Sequence, residues 1–176
     1  LEAVASGWKQ AQEGVAPQMG AVDKDKLAQE WFDKGKKAYN NKEYEKAIEY
    51  YTEAIRLNPN FTKAFNNRGV AKGDLGKHTE AIVDYDQAIR LKSDYADAFN
   101  NRGVEKYELG KYTEAIADYD QAIRLNPDYA DAFINRGSAK DDLGKYTEAI
   151  ADYDQAIRLK SDDAPAFNNR GWAKHC

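Results

Sequence analysis

The chain has 176 residues and a formal net charge of −4. That length supports one continuous core rather than two large independent domains, and the acidic balance argues against a general nucleic-acid surface. No apolar run is long enough to span a membrane, and a lone cysteine, Cys176, excludes a disulfide framework.

The chain opens on Leu1 without a charged-then-apolar leader and reads as a fragment or a processed product. Residues 1–27 are expected to be an N-terminal arm, linker or short capping helix. Gly7, Gly14, Pro17 and Gly20 interrupt any long helix there, whereas Glu2 to Glu13 has room for a short one. Trp8 and Met19 are its large anchors, and Trp8 docked on the following residues is the sharper reading of the arm.

From Ala28 onward one unit recurs. Gly35, Gly69, Gly103, Gly137 and Gly171 are each 34 residues apart. Trp31, Phe65, Phe99, Phe133 and Phe167 stand four residues before these glycines; Ala47, Ala81, Ala115 and Ala149 follow them by twelve. Tyr51, Tyr85, Tyr119 and Tyr153 come sixteen after, and Ala54, Ala88, Ala122 and Ala156 nineteen after. A period of this length with helical spacing predicts an all-α solenoid of stacked helix pairs. Small residues at these places let two helices approach until the large rings interlock. Four complete repeats are expected at 28–61, 62–95, 96–129 and 130–163, with 164–176 as the first helix of a fifth. Pro59 and Pro127 close two repeats; Ser93 and Ser161 take that place in the others.

Polar residues set the expected helix ends. Asn60, Asp94, Asp128 and Asp162 precede each first helix as candidate N-caps, and Thr79, Thr113 and Thr147 precede each second helix. Gly76, Gly110 and Gly144 are placed to end first helices in a left-handed turn. Arg68, Arg102 and Arg136 are followed sixteen residues later by Asp84, Asp118 and Asp152, while repeat one has Lys34 with Tyr50, so both members change together. Structural ion pairs Arg68–Asp84, Arg102–Asp118 and Arg136–Asp152 are therefore expected.

The Trp/Phe, Gly, Ala, Tyr, Ala, Pro pattern resembles the tetratricopeptide repeat, over residues 28 to 163. Arginine before the glycine, where that family usually has leucine, and serine for proline in two repeats are departures. The resemblance implies a right-handed superhelix whose first helices line a concave groove that binds an extended peptide or partner helix. Two before the glycine stand Asn67, Asn101, Asn135 and Asn169, similar to the asparagine rows of peptide-binding members. A carboxamide has donors and acceptors for the C=O and N–H of a peptide backbone. Asn66, Asn100, Lys36, Lys63, Val70, Val104, Tyr107 and Ser138 are the further groove positions expected to set selectivity. The acids of repeats three and four predict a ligand that is basic or neutral there. The family's carboxylate clamp for acidic chaperone tails is not expected. The corresponding residues are Phe32, Lys36, Asn67, Asp97 and Asn101, of which Asn67 alone fits.

No cofactor, metal or catalytic residue is expected: no phosphate-binding glycine loop, nucleophile elbow or zinc spacing occurs. His78 reads as a packing or surface substitution for Tyr112 and Tyr146, and His175 beside Cys176 as too few ligands for a metal. The last helix, with Pro165 in its first turn and Trp172 on its outer side, lacks its own second helix. Truncation after Cys176 is the favoured expectation. The function read from these residues is a protein-interaction scaffold. Its rival is a self-assembly module that joins copies into a homo-oligomer through the solenoid ends or the arm.

Overall fold

A computed structural model describes residues 21–160 together with 169, 170 and 173. The expectations placed on Trp8, Asp162, Trp172 and most of the 164–176 helix lie outside these residues. Among the described residues there are eight helices and no strand: α1 Ala21–Asn40, α2 Tyr44–Leu57, α3 Thr62–Asp74, α4 His78–Leu91, α5 Ala96–Glu108, α6 Tyr112–Leu125, α7 Ala130–Asp142 and α8 Tyr146–Leu159. None is long and apolar enough to cross a membrane. Helix α1 starts at Ala21, so residues 21–27, read from the sequence as part of an arm, are its opening turns. Asn58 Nδ2 donates to Asp25 Oδ1 at 2.9 Å and ties them to the end of α2.

Each second helix buries an alanine–tyrosine–alanine stripe at helical spacing, Ala115, Tyr119 and Ala122 in α6. The tyrosines Tyr51, Tyr85, Tyr119 and Tyr153 are 1% exposed. Each lies against the glycine of its own first helix: a Cβ built on Gly103 would stand 2.6 Å from Tyr119 Cε1. Glycine is needed there by close approach inside a regular helix. Burial also pushes the Tyr119 hydroxyl far above the ordinary phenol range, so the ring stays neutral.

The hairpin turns follow one design. Gly76, Gly110 and Gly144 have φ of +72°. Gly76 N–H donates to Gly73 O and Lys77 N–H to Lys72 O, at 2.8 and 2.9 Å, which satisfies two carbonyls at the end of α3. Repeat one makes the same turn with Lys42, at φ 62°. A left-handed residue with a Cβ is strained. Lys42→Gly is therefore expected to stabilise the chain by about 0.5–1 kcal/mol. Urea unfolding checks this; an unchanged or lower midpoint would show that the turn is not strained.

The capping expectations need correction. Helices α3, α5 and α7 are entered through Phe61, Tyr95 and Tyr129, none of which makes a side-chain cap bond. Asn60, Asp94 and Asp128 lie one residue further out. Thr79, Thr113 and Thr147 are already inside α4, α6 and α8, which begin one residue earlier. Half-buried rings fix the entry instead, as where Phe61 packs on Phe32 at 4.8 Å between centroids. The turn N–H groups find acceptors upstream: Asn60 N–H donates to Asn58 Oδ1 at 2.9 Å and Asp128 N–H to Asn126 Oδ1 at 3.2 Å.

Every helix packs on its neighbours in sequence. Beyond these, the backbones of α1 and α3, α3 and α5, and α5 and α7 come within 8 Å between Cα atoms, and no two second helices approach so closely among the described residues. Units stacked more closely on one side curve toward it, so the first helices line the inner face.

Candidate functional site

The inner face carries a connected row of carboxamides. Asn135 Nδ2 donates to Asn100 Oδ1 at 3.0 Å, Asn100 Nδ2 to Asn101 Oδ1 at 3.5 Å, Asn101 Nδ2 to Asn66 Oδ1 at 3.3 Å, and Asn66 Nδ2 to Asn67 Oδ1 at 3.3 Å. Asn66 and Asn100, expected among the selectivity positions, are 6% exposed. They are struts within the helix seam rather than open groove positions. One residue along a helix turns the side chain by about 100°, which is enough to take it from the groove into the contact between neighbouring first helices. Asn67, Asn101 and Asn135 remain half-buried on the surface of the row. Repeat four has Ile134 at the strut position, which offers no side-chain acceptor to Asn169.

Among the described residues, a cavity lies on this face at each of the three junctions between consecutive complete repeats. The first, of about 110 Å³, is lined by Tyr39, Tyr51, Asn67 and Val70. The third, of about 160 Å³, is lined by Val104, Tyr107, Glu108, Tyr119, Asn135 and Ser138. The middle one reaches about 370 Å³ and is lined by Val70, Gly73, Asp74, His78, Tyr85, Asn101, Val104, Glu105 and Glu108. Its size has a local cause. In the flanking junctions a tyrosine, Tyr39 or Tyr107, packs at a tilt against Tyr44 or Tyr112, with centroids 5.4 and 5.3 Å apart, and donates its hydroxyl to Asp74 or Asp142. Repeat two has Gly73 and His78 instead. Glu105 reaches into part of the vacated space, and its Oε2 pairs with His78 Nδ1 at 2.7 Å. Burial pushes the Glu105 carboxyl up, with His78 opposing it.

Behind the groove the ionic residues form a repeated cluster. Arg68 holds Asp84 with Nε and Nη2, at 2.9 and 2.6 Å; Arg102 holds Asp118 and Arg136 holds Asp152 the same way. The third nitrogen crosses to the preceding repeat, Arg102 Nη1 to Asp86 and Arg136 Nη1 to Asp120 at 2.6 Å, Arg68 Nη1 to Thr52 Oγ1 at 3.0 Å, and Arg170 Nη1 to Asp154 at 2.8 Å. The guanidinium groups of Arg68, Arg102 and Arg136 also lie over phenylalanine rings, Phe65, Phe99 and Phe133 in turn. Burial opposes the charge on Arg102 and Arg136, but the carboxylates outweigh it and hold both above their ordinary value. In repeat one Lys34 stands instead over Trp31, 4.1 Å from the centroid.

Sequence reasoning missed two parts of this arrangement. Lys72, Lys106 and Lys140 complete the cluster, each 2.8 Å from its aspartate. Their signal was present: they recur with the 34-residue period, and repeat one has Ala38 there. Glu105 was also missed, although it breaks the pattern set by Ala71 and Ala139. Of the remaining groove positions, Val70, Val104, Tyr107 and Ser138 line the cavities. Ser138 Oγ donates to Ile134 O at 3.1 Å and accepts from the Tyr153 hydroxyl at 3.4 Å. Lys36 and Lys63 are exposed and line none of the three cavities. No cluster of potential metal ligands occurs among the described residues.

A stack of helix pairs with a polar row along its inner face defines the class of α-solenoid repeat proteins. A model of the tetratricopeptide repeat matches residues 28–61, and a further model of the same repeat matches 73–104, 105–140 and 142–175. The chain belongs to the tetratricopeptide repeat family. Among curated proteins it is similar to Hsp70-Hsp90 organizing protein 1 of Arabidopsis thaliana, with 43% identity over 51 residues, which is 29% of this chain and 9% of that protein. The chain thus spans under a tenth of that relative's length. Among solved structures it resembles the MamA protein at 26% identity and a TM-score of 0.76, covering 85% of this chain and 81% of that one. It also resembles the first repeat domain of Spaghetti (RPAP3) bound to the HSP90 peptide SRMEEVD, at 28% identity and a TM-score of 0.67, covering 68% of this chain and 95% of that domain.

Proposed function

We propose that this chain is a non-enzymatic interaction scaffold that holds an extended peptide segment of a protein partner along its inner face. The observation that carries the reading is the connected row ending in Asn67, Asn101 and Asn135. Asn101 uses one N–H and one lone pair within the row, so one donor and one acceptor remain for a ligand backbone. The internal bonds fix the carboxamide orientation before any ligand arrives, which reduces the ordering cost of binding. The likeness to a domain bound to a peptide supports this mode of recognition. The chemistry of the ligand differs, however. Asp97 occupies a place where a clamp for an acidic tail needs a cation, and the exposed carboxylates Glu108, Asp131 and Asp142 continue along repeats three and four. A ligand that is basic or neutral over these repeats is the complement.

A lysate pull-down with mass spectrometry, comparing this chain with its Asn67→Ala/Asn101→Ala/Asn135→Ala variant, tests the reading. Each lost hydrogen bond costs roughly 0.5–1.5 kcal/mol, so a groove ligand should weaken by about tenfold or more. Partners lost while helical content and melting persist would support the groove. Partners retained equally would move function to the convex face, the ends or the N-terminal arm.

A further inference from the structure

The middle cavity differs from its neighbours in chemistry as well as size. At about 370 Å³ it enters the range of side-chain and small-ligand pockets, about 300–1,000 Å³, which the flanking cavities of about 110 and 160 Å³ do not reach. Three carboxylates line it, Asp74, Glu105 and Glu108, against one imidazole and no lysine or arginine. Asp74 is held by the Tyr39 hydroxyl at 2.6 Å. Glu108 stands where Asp142 receives the Tyr107 hydroxyl, but Gly73 has no hydroxyl to give.

The central residue is Glu105. It is 6% exposed, and His78 occupies Oε2. Its other oxygen, Oε1, is the atom nearest to the Cβ that Gly73 lacks, and so lies in the space where the neighbouring junctions carry a tyrosine ring. The substitution is paired across repeats. Tyr39 shares a core cluster with Ala71 and Tyr107 one with Ala139, whereas Gly73 is matched by Glu105. One volume is filled by a ring in two junctions and opened around a carboxylate in the third. Val70, Val104 and the Tyr85 ring form the walls beside it. Apolar walls over a buried acid suit a side chain with an aliphatic stem and a cationic tip.

We propose that the cavity between repeats two and three receives the lysine or arginine side chain of the peptide that lies along the carboxamide row, with the Glu105 carboxylate as its counter-charge. The assignment rests on the groove reading above and adds to it a fixed position for one cationic residue, beside Asn101. Charge-assisted contact in a partly desolvated site is stronger than the same pair in water.

The test uses the full chain, labelled with ¹⁵N, titrated with N-acetyl-lysine methylamide, its arginine analogue, and N-acetyl-norleucine methylamide, which keeps the stem without the charge. The amides of Gly73, Val104 and Glu105 report occupancy. At least one cationic probe is expected to bind about tenfold more tightly than norleucine. Glu105→Gln should abolish that preference. The double variant Gly73→Tyr/Glu105→Ala, which copies the tyrosine and alanine of the flanking junctions, should lose saturable binding while keeping its fold; Glu105→Gln decides the matter by itself if the double variant does not fold. Equal binding of norleucine, unchanged binding to Glu105→Gln, or no saturable shift at Gly73 and Glu105 would overturn the assignment. Probe failure together with loss of partners in the carboxamide variant would leave the groove standing without this pocket. Probe binding with all partners retained would do the reverse.

Discussion

Asp118→Ala is expected to cost about 3–5 kcal/mol and to lower Tm by roughly 6–20 °C. Asp118 is 4% exposed and lies between Arg102, bound through two nitrogens, and Lys106 at 2.8 Å. Both cations have side chains only 17% exposed, so truncating the aspartate leaves two poorly solvated charges facing each other. The cost is that of the abandoned cations rather than the worth of the pair. Two controls separate these. Asp86→Ala, on the outer arm of the same arginine with a side chain 55% exposed, should cost less than about 1 kcal/mol. Replacing Arg102, Lys106 and Asp118 together by leucine or methionine should recover most of the loss, since well-packed apolar groups often match a buried ionic cluster. A single-variant loss below about 1 kcal/mol in urea unfolding would mean that water reaches the cluster freely.

Tyr119→Ala is expected to cost about 3–5 kcal/mol, the range for deleting a fully buried ring. Its coupling to Gly103 is the more discriminating quantity. In the native background Gly103→Ala should destabilise by about 1–3 kcal/mol, because the new methyl meets the ring at 2.6 Å. Once the ring is removed, the same change should stabilise by up to about 1 kcal/mol, as alanine favours a helix interior over glycine. The sign reverses. A double-mutant cycle in urea measures this, and additivity within about 0.5 kcal/mol would show that the glycine is not there to admit the ring.

The sequence by itself determined the helix pairs, their 34-residue period and the Gly–Tyr approach within each pair. All depend on residues close along the chain, where helical spacing fixes who faces whom. It also carried the Arg–Asp partnership, because both members vanish together in repeat one. Tertiary structure decided what single-residue rotations and neighbouring repeats control. The caps moved because half-buried rings at Phe61, Tyr95 and Tyr129, rather than polar acceptors, fix where the first helices start. Asn66 and Asn100 passed from groove to seam because adjacent residues on a helix point in different directions. The Glu105–His78 pair joins residues 27 apart from different repeats. It arises only where Gly73 opens a volume that Tyr39 and Tyr107 close elsewhere, and that exchange becomes visible only once repeats two and three are stacked.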